Sequence, residues 1–119
     1  MLLTAMALAA TLVIQSPVDP QLAVISARLG DCSADFTVKD PDGKPVYAAV
    51  IHVRVRYGFM SLKRMDLEVG TNSAGQARVE GLPAKAKPLI YDISQAGRKA
   101  TVEQDLATAC RATHEVSLK

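Results

Sequence analysis

The chain has 119 residues, a length that suits one domain and excludes two of ordinary size. Its 14 basic and 12 acidic side chains leave a formal net charge of +2, which argues against a nucleic-acid-binding protein, since such proteins carry a strongly basic face. Tryptophan is absent and 4% of the residues are aromatic, so the core must be built mainly from aliphatic side chains.

The chain opens with an uncharged apolar stretch over residues 1–14, which the proline-containing segment 15–20 follows. This length is typical of the apolar region of a signal peptide and is short for a membrane span. We expect residues 1–23 to be a leader helix and residues 24–119 to be the folded domain. Cleavage of the leader would give a periplasmic or secreted protein, and retention would anchor it in a membrane. A buried N-terminal helix of the domain is the alternative.

Apolar residues recur at every second position after residue 30, a pattern typical of half-buried β-strands. In the clearest stretch, residues 49–57, the apolar side chains fall on one face while His52, Arg54 and Arg56 fall on the other. Seven short strands separated by turns predict a β-sandwich or a barrel. The predicted strands lie within residues 34–38, 49–57, 65–69, 77–79, 89–93, 100–102 and 114–118.

The second and third predicted strands form a hairpin whose register is predicted from both of its faces. Placing Arg56 opposite Asp66 also places Arg54 opposite Glu68. Opposite charges directly across a ladder each contribute roughly 0.2–1 kcal/mol, which favours this arrangement. On the inner face the same register pairs Tyr57 with Met65, Val55 with Leu67 and Val53 with Val69.

Basic side chains of this hairpin form a candidate surface for an anionic glycan, a lipid head group or an acidic protein partner. The alternative is a solvated face on which the carboxylates of the next strand neutralise the arginines. The candidate residues are His52, Arg54, Arg56, Lys63 and Arg64.

The loop of the same hairpin carries the apolar residues Phe59, Met60 and Leu62. Apolar residues at a loop tip can mark a contact surface. The alternative is that these side chains cap one end of the sandwich core.

The two cysteines, Cys32 and Cys110, share the inward parity of the strands beside them. In an oxidising compartment we expect them to form a disulfide. Because the loop that they close is long, the disulfide would stabilise the fold by about 4–5 kcal/mol at most. The alternative is two inert buried thiols.

Two segments resemble the carboxypeptidase regulatory-like domains, which are also called transthyretin-like or prealbumin-like domains. The first is Val38-Lys39-Asp40-Pro41-Asp42-Gly43-Lys44-Pro45-Val46 with Ala49-Val50-Ile51-His52-Val53 behind it, and the second is Thr71-Asn72-Ser73-Ala74-Gly75-Gln76-Ala77-Arg78-Val79 with Gly81-Leu82-Pro83. The resemblance covers about residues 34 to 94. It implies a seven-stranded Greek-key sandwich of the immunoglobulin and transthyretin kind. It also implies an accessory, adhesive or carbohydrate-associated module of exported bacterial proteins.

Enzymes related to this fold carry motifs that the chain lacks. Hydroxyisourate hydrolases end in Tyr-Arg-Gly-Ser, whereas this chain ends Val116-Ser117-Leu118-Lys119. Intradiol dioxygenases hold iron with two tyrosines and two histidines, including a His-x-His pair, but His52 and His114 stand far apart in this sequence. No catalytic residue, metal ligand or cofactor is therefore predicted, and we expect His114 to be a core histidine whose hydrogen bonds are satisfied.

We accordingly expect an exported, non-enzymatic sandwich module of the cell envelope that binds an unidentified protein or glycan. Nucleic acid is not an expected partner, and a membrane is expected only through an uncleaved leader. The alternative function is a small hydrolase or metal enzyme built on a transthyretin-like sandwich.

Overall fold

The computed structural model describes residues 21–85 and 87–119, which form two packed β-sheets. Sheet I has the strand order β1-β5-β2-β8 and sheet II has the order β4-β3-β6-β7. A 3-10 turn at Phe59–Ser61 connects β3 to β4. The strands are β1 Ala23–Ser26, β2 Cys32–Lys39, β3 Val50–Tyr57, β4 Lys63–Gly70, β5 Gln76–Leu82, β6 Leu89–Gln95, β7 Arg98–Gln104 and β8 Arg111–Ser117.

The all-β sandwich predicted from the alternating pattern is confirmed, but the described residues contain eight strands rather than seven. The additional strand is β1, which pairs in parallel with β5. Sequence alternation does not reveal β1 because its outward-facing Val24 is as apolar as its inward-facing neighbours Ala23 and Ile25. Residues 1–20 of the predicted leader lie outside the described residues. No helix in the described part of the chain is long and apolar enough to cross a bilayer.

The core lies between the inner faces of the two sheets and is mainly aliphatic, as the composition predicts. The face predicted for the clearest strand is confirmed up to Val55, since its inward side chains there are each at most 1% exposed, and Tyr57 at the end of the strand is half-buried. Phe36 of sheet I meets Tyr91 of sheet II edge-to-face, with ring centroids 4.8 Å apart. The inward residues of β3 and the residue preceding it are Ala49, Ile51, Val53 and Val55.

A buried glutamine joins the two sheets through hydrogen bonds. The Tyr91 hydroxyl donates to Gln104 Oε1 over 2.7 Å, and burial raises the pKa of Tyr91. Gln104 Nε2 in turn donates to the carbonyl oxygens of Ser33 and Ala109, at 3.1 and 2.7 Å. Both ends of the amide are therefore satisfied, as a buried polar group requires.

The predicted disulfide is confirmed: Cys32 is bonded to Cys110 across a sequence separation of 78, with their Cα atoms 4.6 Å apart. Cys32 begins β2, and Cys110 directly precedes β8, its parallel neighbour. The covalent link therefore joins the start of β2 to the residue before β8, at one end of sheet I.

The prediction for His114 is wrong in one respect. The imidazole stacks on Phe36 with ring centroids 5.2 Å apart, but its buried Nε2 has no hydrogen-bond partner among the described residues. His114 lies on β8, an edge strand, and its ring lies against the aromatic rings of Phe36 and Tyr91. Desolvation by burial lowers the pKa of His114.

Candidate functional site

The register of the β3–β4 hairpin differs by two residues from the predicted one. Arg54 lies opposite Asp66, and Arg56 lies opposite Arg64 rather than opposite an acidic residue. The reason is the turn: β4 begins at Lys63, two residues before the predicted strand, so the loop is shorter than predicted. A shift of two residues leaves every side chain on its predicted face, so the alternating pattern cannot exclude it.

The new register places two like charges directly across the ladder. Among residues 21–85 and 87–119, neither Arg56 nor Arg64 forms an ion pair with a carboxylate. Like charges in this position are destabilising in a sheet. The predicted neutralisation of both strand arginines is therefore wrong for Arg56.

The carboxylate of Asp66 is instead occupied by its neighbours on β3. Arg54 Nε donates to Asp66 Oδ1 over 3.0 Å, and His52 Nε2 lies 3.4 Å from the same oxygen. The hydrogen bond from Arg54 is the main cause that lowers the pKa of Asp66, so this carboxyl group is ionised at neutral pH. The Asp66 carboxylate therefore contacts Arg54 and His52. It lies opposite Arg54, two positions along the ladder from Arg56.

A groove of about 510 Å³ crosses the outer face of sheet II beside these residues. We call it the basic groove. Cationic side chains from β3 line one part of it, and the start of β6 with the loop before it supplies Lys87 and an apolar wall. In that wall, Ile90 is 53% exposed, an unusual exposure for a large aliphatic strand residue. The lining residues are His52, Arg54, Arg56, Lys87, Pro88, Leu89, Ile90 and Asp92.

The structure brings together four of the five predicted basic residues. His52, Arg54, Arg56 and Arg64 lie on the outer face of sheet II, whereas Lys63 pairs with Tyr57 and has the opposite parity. The sequence analysis missed Lys87 and Ile90, because Lys87 lies between two predicted strands and no role was assigned to the outward face of the strand that holds Ile90. The signal that could have found Ile90 is its apolar side chain at an outward position of an alternating strand.

A second groove, of about 520 Å³, lies on the outer face of sheet I. We call it the mixed-charge groove, because its lining contains three arginines, two aspartates and one glutamate. Arg78 Nε donates to Asp35 Oδ1 over 2.6 Å, and this bond raises the pKa of Arg78. Arg78 and Asp35 are also direct partners in the β2–β5 ladder, so these two charges are paired where the two strands meet.

The turn between β3 and β4 projects apolar side chains into solvent. Phe59, Met60 and Leu62 are 82%, 76% and 78% exposed, and we call these three residues the apolar tip. The alternative that they cap the core is therefore wrong. Two backbone hydrogen bonds close the turn, from Ser61 N to Gly58 O and from Leu62 N to Phe59 O.

The described residues do not fit the iron site of intradiol dioxygenases. Tyr91 and His114 have ring centroids 6.0 Å apart inside the sandwich, but the tyrosine hydroxyl is committed to Gln104. His52 lies on the outer face of sheet II, away from that pair. Across the described ranges no group of three His, Cys, Asp or Glu side chains is placed to hold a metal ion.

Comparison by structure finds enzymes with the same fold. Catechol 1,2-dioxygenase from Pseudomonas arvilla C-1 matches with a TM-score of 0.56 and 13% identity, over 87% of this chain and 59% of that chain. Chlorocatechol 1,2-dioxygenase from Pseudomonas putida matches with a TM-score of 0.51 and 12% identity, over 88% of this chain and 70% of that chain. The sequence matches no protein-family model and no curated protein.

These comparisons correct the function expected from the sequence. The expectation of a non-enzymatic accessory module of the cell envelope is corrected: the matched structures are enzymes, the dioxygenases, so this fold does not by itself indicate a non-enzymatic role. At 12–13% identity the likeness establishes a shared sandwich fold and nothing about activity. This chain also spans only 59% of the first of those enzymes, so the function must be argued from its own residues.

Proposed function

We propose that the chain binds a small organic anion in the basic groove, with the acid group of the ligand on Arg56 and Lys87. The observation that carries the proposal is the pairing of Arg56 with Arg64, which leaves two guanidinium groups without a carboxylate partner among the described residues. A bound carboxylate or phosphate would accept charge-assisted hydrogen bonds from Arg56, of the kind that are about twice as strong as neutral ones. It would also remove the repulsion across the ladder.

The apolar wall supports an anion with a hydrocarbon body. Ile90 and Pro88 are exposed and line the same groove as Arg56. Ligand sites commonly combine an apolar lining with a few placed polar groups, which fix the orientation of the ligand. An alkyl or aryl carboxylate would cover Ile90 while its acid group meets the guanidinium.

Three probes separate these contributions: hexanoate, which has both charge and tail, acetate, which has only the charge, and hexanol, which has only the tail. We expect hexanoate to bind with a dissociation constant on the order of millimolar, since the groove is open and the probe is small. Isothermal titration calorimetry should show much weaker binding of the other two.

The matched variants are Arg56→Gln and Arg111→Gln, because Arg111 is an exposed arginine that lines the mixed-charge groove. Arg56→Gln should weaken hexanoate binding by about tenfold, the loss typical of a hydrogen bond to a charged group. Arg111→Gln should leave it unchanged. Equal effects of the two substitutions, or equal affinity for hexanoate and hexanol, would rule out the basic groove as an anion site.

We also propose a compartment and a family for this chain. The Cys32–Cys110 disulfide supports an oxidising, extracytoplasmic compartment, either periplasmic or secreted. The leader in residues 1–23, whether cleaved or retained as an anchor, fits that compartment. The sandwich fold supports membership of the carboxypeptidase regulatory-like, or transthyretin-like, class with its Greek-key topology.

We propose that the shared fold does not perform the dioxygenase reaction in this chain. The support is the commitment of the Tyr91 hydroxyl to Gln104 and the placement of His52 and His114 on different faces. Catechol incubated with the protein, ferric iron and air should consume oxygen no faster than the same mixture without protein. Turnover that Tyr91→Phe abolishes would show that the residues do form an iron site.

A further inference from the structure

The apolar tip is the most exposed apolar feature of the described residues. Phe59, Met60 and Leu62 each expose more than three quarters of their surface, at the far end of the β3–β4 hairpin. No other large apolar residue of the described ranges exceeds the 67% exposure of Tyr47. Three such side chains within one turn form a patch that protrudes, rather than scattered surface residues.

The backbone of the turn holds these side chains outward at a conformational cost. Met60 and Ser61 adopt left-handed backbone angles, with φ of 54° and 56°, after Gly58 at 80°. The left-handed region is unfavourable for residues that carry a Cβ atom. Backbone outliers of this kind concentrate where a protein contacts a ligand or partner.

A collar of cationic residues surrounds the base of the tip. The last two pairs of the hairpin ladder before the turn are Arg56 with Arg64 and Tyr57 with Lys63. These two pairs contain three cations and no acidic residue. Lys87 adds a fourth cation across the basic groove from Arg56.

We propose that the apolar tip inserts into the surface of an anionic lipid bilayer, and that the basic groove receives a phosphate group of a lipid. This inference rests on the proposed anion site and names the source of its ligand. Apolar side chains that enter the head-group region, together with basic residues at its surface, give stable membrane association. The bilayer supplies the anions for which Arg56 and Arg64 have no protein partner.

A bilayer fits the tip better than a protein partner does. A stable protein interface buries about 800 Å² on each partner, which a single short turn cannot supply. The tip is convex, and its cations lie behind its apolar residues, so insertion brings them level with lipid phosphates. Charge complementarity therefore favours an anionic membrane surface.

Co-sedimentation with vesicles tests the inference, using phosphatidylcholine alone and phosphatidylcholine mixed with phosphatidylglycerol. The protein should bind the mixed vesicles, release at high salt, and bind the neutral vesicles far more weakly. The double variant Phe59→Ser, Leu62→Ser should weaken binding to mixed vesicles by at least about tenfold, because two large apolar side chains are removed from the bilayer. Tyr47→Ser, which removes an exposed aromatic residue outside the tip, should bind as the wild type does.

Each alternative result has a distinct meaning. Hexanoate binding without any vesicle binding would overturn the membrane inference and leave the anion site standing. The absence of both hexanoate binding and vesicle binding would overturn both proposals. Mixed-vesicle binding that the double tip variant retains would also overturn the inference. If the tip variant changes self-association by light scattering and not vesicle binding, the tip contacts a second copy and the inference is wrong.

Discussion

The outer faces of the two sheets carry similar residues but distribute their charge differently. On sheet I, Arg78 and Asp35 are direct ladder partners and are hydrogen-bonded. On sheet II, Arg54 and Asp66 are paired in the same way, but the next outward pair of that ladder is Arg56 with Arg64. Sheet I also contains the disulfide, so its charges and its covalent link both act to stabilise the fold. The difference shows where this protein leaves interactions unsatisfied and therefore available to a ligand.

The largest expected effect comes from the covalent link in sheet I. The double variant Cys32→Ala, Cys110→Ala should lower the free energy of unfolding by at most about 4–5 kcal/mol, because the 78-residue separation makes the closed loop long. Chemical unfolding at low temperature measures this loss. A loss under about 1 kcal/mol would show that the link does not contribute in the way loop-closure entropy predicts.

The hydrogen bonds that join the sheets give the next largest effect. Tyr91→Phe leaves Gln104 Oε1 buried without its donor, which should lower the free energy of unfolding by about 1–3 kcal/mol. Tyr47→Phe is the matched control, because Tyr47 is 67% exposed and its hydroxyl faces solvent. Urea unfolding of the two variants should give clearly different midpoints. Equal midpoints would show that the buried hydrogen bond from Tyr91 to Gln104 does not stabilise the fold.

His114 gives the fold a pH dependence of defined sign. Because burial lowers its pKa in the folded state, the unfolded chain binds the proton first as the pH falls below the ordinary value of 6.5. The contribution of His114 is therefore fully present above that pH and is lost as the pH falls through the folded-state pKa. His114→Phe keeps the stacking on Phe36 and should unfold with a weaker acid dependence than wild type. Parallel pH profiles of the two proteins would contradict this.

The smallest expected effect is a change in the free energy of unfolding whose sign differs between the outer faces of the two sheets. Arg56→Glu converts the like-charge pair with Arg64 into an ion pair and should raise the free energy of unfolding by about 0.2–1 kcal/mol. Arg78→Glu breaks the hydrogen bond to Asp35 and opposes two carboxylates, so it should destabilise. Thermal unfolding measures both, and a common sign would show that the two faces do not differ in the way described. Arg56→Glu should also abolish hexanoate binding.

Sequence alternation predicted the layers of the fold because burial repeats every two residues along a strand. It placed Ile51 and Val53 in the core, and the shared inward parity of Cys32 and Cys110 predicted their disulfide. It could not set the hairpin register, because moving Arg56 from Asp66 to Arg64 changes no side-chain face. The residue type alone therefore indicated neutral pairing where the structure has like charges.

The basic groove could be predicted only in part, because sequence alternation does not show which strands are neighbours. Its cations on β3 are adjacent in sequence, but Lys87 and Ile90 come from another strand and its preceding loop. Such a meeting depends on the order of strands in the sheet, which periodicity does not specify. The unpartnered nitrogen of His114 likewise depends on which residues β8 faces.

The claim that sheet II carries the ligand site is tested most directly by backbone amide NMR of the protein titrated with hexanoate. The account predicts saturable shifts in the amides of residues 52–56, 87 and 89–92, and unchanged amides at residues 26–35 and 78–81 on the other face. Shifts confined to the mixed-charge groove, or spread evenly over both sheets, would contradict it.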